Sequence, residues 1–276
     1  MNLLVAGGDR VDAGKTTFST GLLDRIGGIG FKPRAGNDYW FDHDDYRRAI
    51  EQGRLFGKDA KRLATTSDAD VTPEAINPIH RLWRPSPGTG RGLIGGADRQ
   101  FVLDRAGESF VVNATADVPG SAQDGLPIDS SVTVRTVEEL NRQTTERYLP
   151  RLKRLAEEIR GHDRVLIESY GDVALPIANV TVDAVAIVEP GRVRIFDGDR
   201  YFTACEVVGG AGRGTGATVG GQVGAHEERV ADVTAHLEPS ATVSLPALGS
   251  DERAKPGAVA DAYEVAYDAL LGEAID

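Results

Sequence analysis

A glycine-bounded segment near the start of the chain carries residue types that bind phosphate. Gly8 is followed by five residues and then by Gly14, Lys15, Thr16 and Thr17. In such a loop, consecutive backbone N–H groups surround a phosphate, and the following helix N-terminus adds a favourable dipole. Lys15 would bridge the β- and γ-phosphate oxygens of a nucleoside triphosphate, and Thr16 would bind Mg²⁺ through its hydroxyl. The interval between the glycines is one residue longer than in the common G-x-x-x-x-G-K-[ST] motif.

The segments around this loop have the pattern that a phosphate-binding loop requires. Residues 2–7 are an apolar run that predicts a buried strand, and residues 16–26 have the apolar spacing of a helix. A second strand is predicted at 29–33, after Gly27 and Gly28. A strand, a loop, a helix and a strand in this order form a βαβ unit with parallel strands.

Helices and strands continue to alternate along the chain. We predict helices at 42–62, 136–160, 225–237 and 259–271, and strands at 164–168, 182–188 and 242–246. Residues 193–208 suggest further strands with a turn at Asp197-Gly198, and residues 209–224 contain too many glycines for a helix. This alternation predicts a single α/β domain over residues 1–276 with a doubly wound, mostly parallel sheet.

Residues 80–135 interrupt the alternation and are predicted to be an insertion. Two alternating runs, at 100–104 and 109–113, are joined across a short polar segment, which is the pattern of a β-hairpin. We expect this insertion to form a flap beside the phosphate-binding loop, because long excursions from compact domains often serve function. An ordinary surface excursion is the alternative.

The composition of the chain disfavours several classes of partner. The net charge of −11 disfavours nucleic acid and anionic membranes, which recruit clustered cations. No run of about 18 apolar residues is present, and the N-terminal residues predict a strand instead of a secretory leader. A single cysteine, Cys205, fits a reducing cytoplasm. The six lysines and the excess of acidic residues are typical of halophilic proteins, although a GC-rich genome would also favour arginine over lysine.

Several motifs in order along the chain resemble dethiobiotin synthetase, a member of the MinD/ParA branch of P-loop NTPases. The resemblance begins with the long Gly8-x5-Gly14-Lys15-Thr16 loop and spans most of the chain, apart from residues 80–135 and 209–224. Its other elements are Gly30-Phe31-Lys32-Pro33, Lys58-Asp59-Ala60, Asn77-Pro78, the 165–172 strand end with Leu175-Pro176, and Ser244-Leu245-Pro246.

The resemblance implies a P-loop NTPase fold and a role for four further residues. Glu168 would approach Mg²⁺ from a strand end, and Asp59 would be a second acidic neighbour of the metal. Lys32 would hold the acceptor or the transferring phosphoryl group, and Asp12 would face the metal or the acceptor. The structural alternatives are a helix cap or arginine pair for Glu168, a solvated helix face for Asp59, a surface lysine for Lys32 and an Asx turn for Asp12.

The acceptor side departs from the family pattern. Asp9-Arg10-Val11 replaces the family's T-D-T, and Val11 cannot donate a hydrogen bond. Arg10 stands five residues before Lys15, at the position of a γ-phosphate-contacting lysine in MinD-like proteins. We therefore hypothesise that Arg10 serves as a built-in arginine finger.

These features together predict a cytoplasmic Mg²⁺-dependent enzyme that binds and hydrolyses ATP and activates or phosphorylates a small carboxylate- or carbamate-type acceptor. The alternative is an ATPase switch of the MinD/ParA type, acting through dimerisation or a protein partner. A nucleotide binder without turnover is a third reading. The resemblance also raises the possibility of a homodimer.

Overall fold

The computed structural model describes residues 1–8, 14–86, 93, 99–211 and 228–275. Within these ranges, the strands form two separate sheets. Arg10 and Asp12 lie outside the described residues. The strands are β1 (Asn2–Gly7), β2 (Ile29–Phe31), β3 (Arg34–Asp38), β4 (Ile79–Pro85), β5 (Arg99–Ala106), β6 (Ser109–Asn113), β7 (Val132–Val134), β8 (Val165–Glu168), β9 (Ala184–Glu189), β10 (Arg192–Asp197) and β11 (Ala241–Ser244).

In the described ranges, helices lie between about half of the consecutive strands and after the last one. They are α1 (Lys15–Ile26), α2 (His43–Ile50), α3 (Lys58–Thr66), α4 (Pro73–Ile76), α5 (Gly120–Gly125), α6 (Val137–Gln143), α7 (Leu149–Ile159), α8 (Gly198–Ala211), α9 (Val230–Thr234), α10 (Ser250–Arg253), α11 (Pro256–Ala262) and α12 (Glu264–Glu273). Among the described residues, none of these helices is long and apolar enough to cross a bilayer.

The first sheet has the strand order β11-β10-β9-β1-β8-β2. Strands β9, β1, β8 and β2 run parallel, and β10 and β11 continue the sheet in the antiparallel sense. Helices α1, α8 and α12 pack against it, and their apolar side chains form one core with those of the strands. The α/β class and the mostly parallel sheet are therefore as the sequence predicts.

The parallel strands bring three chain segments to one edge of this sheet. In the register, Val5 pairs with Glu168, and Phe31 pairs with Ile167. Strands β1, β2 and β8 therefore end side by side at their carboxyl ends, which is where open α/β sheets bind ligands. Lys32 follows β2 directly, and Glu168 is the last residue of β8.

The second sheet has the order β3-β4-β5-β6-β7. The predicted hairpin is confirmed, because β5 and β6 pair in the antiparallel sense. The sheet also includes β3, which lies well before the predicted insertion at 80–135 and pairs in parallel with β4. Only Lys32 and Pro33 separate β2 of the first sheet from β3 of the second.

The long helix predicted at 136–160 is interrupted by a π-helical segment, Thr144–Tyr148, between α6 and α7. Pro150 lacks the N–H that would bond the carbonyl of Glu146, which favours a wider turn at this point. The interruption leaves Tyr148 buried, with its hydroxyl donating to Asp104 Oδ2 at 2.7 Å.

The prediction of further strands over 193–208 is wrong beyond Asp197. The chain turns at Asp197-Gly198 but enters α8, because Asp197 Oδ1 accepts the N–H of Arg200 at 2.8 Å and caps the helix. Tyr201, Ala204 and Cys205 then bury one helical face. Residues 209–211 belong to α8 despite their glycines, and residues 212–224 lie outside the described ranges.

The C-terminal helices are also shorter than predicted. Only Val230–Thr234 of the helix predicted at 225–237 is helical among the described residues, which omit 225–227. The helix predicted at 259–271 divides at Tyr263 into α11 and α12.

Candidate functional site

Two glycines bound the N-terminal loop in the described structure. Gly8 donates its N–H to Val188 O at 3.0 Å, which continues the alignment of β1 with β9. A Cβ at Gly8 would lie 2.5 Å from Cγ of Glu189, so a larger residue would displace that side chain. Gly14, the N-cap of α1, has φ +85°, a left-handed conformation that favours glycine. Both glycines therefore have structural reasons to be where they are.

The first turn of α1 directs two polar side chains to the loop that follows β8. Lys15 Nζ donates to the carbonyl of Gly171 at 2.9 Å, and Thr16 Oγ1 donates to Glu168 Oε1 at 2.8 Å. Thr17 is only half-buried, and its carbonyl accepts the hydroxyl of Thr20. The first turn of α1 contains no acidic residue, so no side-chain carboxylate of that turn offsets the positive end of the helix dipole.

Lys32 and Glu168 form a buried ion pair beneath this turn. Lys32 Nζ donates to Glu168 Oε1, and it also lies 3.7 Å from Asp59 Oδ2. Lys32 is 4% exposed and Glu168 is fully buried, so the readings of Lys32 as a surface lysine and of Glu168 as an arginine partner do not describe them. Asp59 is in the first turn of α3, and its side chain is 39% exposed.

The two lysines differ in electrostatic environment. Burial lowers the pKa of the Lys15 ammonium, an effect that Glu168 opposes. Burial would also lower the pKa of Lys32, but the nearby carboxylates of Glu168 and Asp59 outweigh it and raise that pKa. The pair with Glu168 therefore favours the charged form of Lys32, whereas burial disfavours the charged form of Lys15.

One of the two carboxylate oxygens of Glu168 is available to bind a further group. Its Oε2 is buried and has no hydrogen-bond partner among the described residues, whereas Oε1 accepts from Thr16 and Lys32. Buried carboxylate oxygens are rarely left unsatisfied, so this atom fits a cation or a donor supplied by a ligand. No cluster of three or more metal-binding side chains occurs in the described part of the chain. A Mg²⁺ ion here would depend on Thr16, a carboxylate, water and phosphate oxygens, which is how Mg²⁺ is commonly held.

A cavity of about 260 Å³ lies beside Lys15, Lys32 and Glu168, between the loop after β8 and the second sheet. We call it the inter-sheet cavity. Trp83 Nε1 donates to the hydroxyl of Tyr170 at 3.1 Å and joins the two sheets across it. The described residues that line it are Arg34, Ala35, Ile79, Arg81, Trp83, Tyr148, Tyr170, Asp172, Val173, Pro176 and Arg229.

The fold brings together Lys15, Thr16, Lys32 and Glu168, which the sequence analysis singles out. The sequence analysis does not predict the cavity or the contact of Lys15 with the carbonyl of Gly171. Gly171 has φ +57° and follows Tyr170 in the loop after β8. The Gly-Asp pair after Glu168 was a signal for a turn at this strand end. The aromatic lining comes from a strand, a π-helical segment and a loop that are distant in sequence, so no local pattern could have pointed to it.

A buried network beneath the site supports Lys32 from the second sheet. Asn77 Nδ2 donates to the carbonyl of Lys32 at 2.8 Å, and Asn77 Oδ1 lies 3.2 Å from His80 Nδ1. Arg105 donates to the carbonyl of Asn77 at 2.6 Å. This arrangement gives the Asn77-Pro78 element a structural role.

His80 should make stability depend on pH. Burial, together with the charges of Arg105 and Lys32, holds the pKa of His80 well below its usual 6.5. As pH falls below 6.5 the unfolded chain takes up a proton more readily than the folded protein does, so the folded state loses up to about 2 kcal/mol of stability between pH 7 and pH 5. His80→Asn keeps a donor for Asn77 and should remove this part of the pH dependence in urea unfolding.

The matched control is His236→Asn, at an exposed position. A wild-type pH dependence in His80→Asn would contradict the assignment of His80 as a neutral buried group.

Comparison with known proteins adds no family assignment. No protein-family model matches this sequence, and a search of curated proteins finds no significant match.

Proposed function

We propose that this protein binds a nucleoside triphosphate with Mg²⁺ and is an ATP-hydrolysing enzyme of the P-loop type. The observation that carries the proposal is the convergence of Lys15, Thr16, Lys32 and Glu168 at the carboxyl edge of the parallel strands. A lysine and a hydroxyl at the start of a helix, beside a buried strand-end carboxylate, are the groups that phosphoryl transfer requires.

Each group has a distinct role in this proposal. Lys15 would exchange its bond to the Gly171 carbonyl for oxygens of the triphosphate. Thr16 and Glu168 would hold the Mg²⁺ ion, with Asp59 as a further acidic neighbour, and the ion neutralises charge on the phosphates when bound. Lys32 would stabilise charge that develops on the transferred phosphoryl group. Catalysis is then mostly positioning and charge stabilisation.

Gly14 and Thr17 would contribute backbone N–H groups, and Thr17 also its hydroxyl, to the phosphates. Gly8, whose N–H is bonded to Val188, would begin the loop that surrounds them. Arg10 and Asp12, which lie outside the described residues, remain proposals from the sequence. Arg10 would act on the γ-phosphate as an arginine finger, and Asp12 would face the metal or the acceptor. The acceptor is proposed to be a small carboxylate or carbamate, in keeping with the likeness to dethiobiotin synthetase.

The test is calorimetry with a non-hydrolysable ATP analogue, with and without Mg²⁺, followed by phosphate release from ATP and from GTP. We expect saturable binding that requires Mg²⁺ and turnover that rises with a small acid. If neither ATP nor GTP binds, the proposal is overturned. Turnover that responds only to protein concentration would instead select the MinD/ParA-type switch.

A further inference from the structure

Short chain segments connect the inter-sheet cavity to the cluster of Lys15, Thr16, Lys32 and Glu168. Tyr170 and Asp172 line the cavity, and Gly171 between them accepts the Lys15 ammonium at 2.9 Å. On the opposite wall, Arg34 follows Lys32 by two residues. The lining is therefore joined along the chain to Gly171, which Lys15 contacts, and to Lys32.

The walls of the cavity are apolar and aromatic over most of their extent. Trp83, Tyr148 and Tyr170 supply rings, and Ile79, Val173 and Pro176 supply aliphatic surface. Such walls suit the body of a small organic molecule, which gains by leaving water. Inorganic ions alone would leave this apolar surface without a partner.

The charge of the described lining is positive. Three arginines line the cavity, and two carboxylates lie near them, that of Asp172 in the lining and that of Asp104 behind it. These described groups therefore carry one net positive charge. Asp104, fully buried behind the wall, holds Arg81 through two hydrogen bonds of 2.7 and 2.6 Å. Arg229, more than half exposed, lies 3.8 Å from Asp172. The cavity therefore favours a molecule with an anionic end over a neutral or cationic one.

We propose that the inter-sheet cavity is the acceptor site, and that the acceptor is a monocarboxylate with an apolar or aromatic body. This inference rests on the proposed function. A carboxylate oxygen forms a bond to the γ-phosphorus, and the bond from that phosphorus to the β–γ bridging oxygen breaks. ADP leaves with the electron pair, and an acyl phosphate forms with no proton to transfer. The second sheet then serves to select the acceptor.

Ligand-observed NMR with phenylacetate and hexanoate, in the presence of Mg²⁺ and a non-hydrolysable ATP analogue, tests the site. The matched neutral amides are the chemical controls. We expect at least one carboxylate to bind and its amide not to bind. Hydroxylamine added during turnover with ATP should trap the acyl phosphate of that carboxylate as a hydroxamate.

Two variants locate the binding. Val173→Phe fills the cavity, and Arg229→Gln removes a charge at an exposed position. Each should weaken carboxylate binding, Val173→Phe by more than about 10-fold, while nucleotide affinity changes by less than about 3-fold. Val265→Phe, at a 70% exposed position on α12, is the size-matched control and should bind as the wild type does. Circular dichroism checks that each variant folds.

The outcomes separate the two proposals. Nucleotide binding without any carboxylate binding, equal binding of the amides, or wild-type binding in both cavity variants overturns the acceptor site and leaves the proposed function standing. Carboxylate binding that Val173→Phe abolishes, in a protein that binds no nucleotide, overturns the proposed function and the acceptor role together.

Discussion

Replacing Lys15 with alanine is expected to lower Mg²⁺-dependent ATP turnover about 100- to 1000-fold, the usual cost of removing one donor that stabilises developing charge. Nucleotide affinity should fall about 10- to 100-fold, because a charge-assisted contact to phosphate is lost. The ammonium is already partly desolvated and is bonded to the Gly171 carbonyl, so it is positioned before the ligand arrives. Phosphate release and calorimetry measure the two effects.

Lys153→Ala, at an exposed position on α7, is the control for the loss of one positive charge. It should leave both quantities unchanged. Wild-type affinity and turnover in Lys15→Ala would remove the central residue of the proposed site.

Glu168→Gln should have a comparably large effect, on stability as well as on turnover. The substitution keeps the size of the side chain and an acceptor for Thr16. It leaves the buried Lys32 ammonium beside a neutral amide, with the partly exposed Asp59 at 3.7 Å as its nearest described carboxylate. Removing one partner of a buried pair costs about 3–5 kcal/mol. We expect that loss in urea unfolding, together with loss of Mg²⁺-dependent phosphate release.

A second substitution separates stability from function. In the double variant Lys32→Met with Glu168→Gln no buried cation is left unpaired, so much of the lost stability should return. Turnover should stay lost, because both charges that the proposed chemistry uses are gone. Recovery of turnover together with stability would show that the pair serves only the fold.

The sequence predicts the residues that we propose to bind phosphate because their signals are local. The loop ends, Lys15 and Thr16 lie within one strand–helix unit, and Glu168 ends an apolar run that could only be a buried strand. Parallel pairing then brings the ends of β1, β2 and β8 together without further information. The positions of Lys32 and Glu168 follow from this rule.

The cavity side could not be predicted, because its elements pair over long distances. Residues 34–38 are too polar to predict a strand, and they become β3 only by pairing with β4 some forty residues later. The side chains of Trp83, Tyr148 and Tyr170 meet through that sheet and through the π-helical segment. The wrong prediction of strands beyond Asp197 has another cause. Asp197-Gly198 was interpreted as a hairpin turn, whereas Asp197 caps helix α8.

The buried pair has a consequence for how quickly a triphosphate would reach the site. Lys15 and Lys32 carry two positive charges, and Glu168 and Asp59 carry two negative ones. Because these four charges sum to zero, the lysines attract an approaching anion only at short range. The whole chain, at −11, repels it from further away. Dissolved salt screens interactions beyond about 10 Å and therefore weakens the repulsion more than the attraction. Salt should accordingly speed the encounter, the opposite of what a positively charged cleft would show.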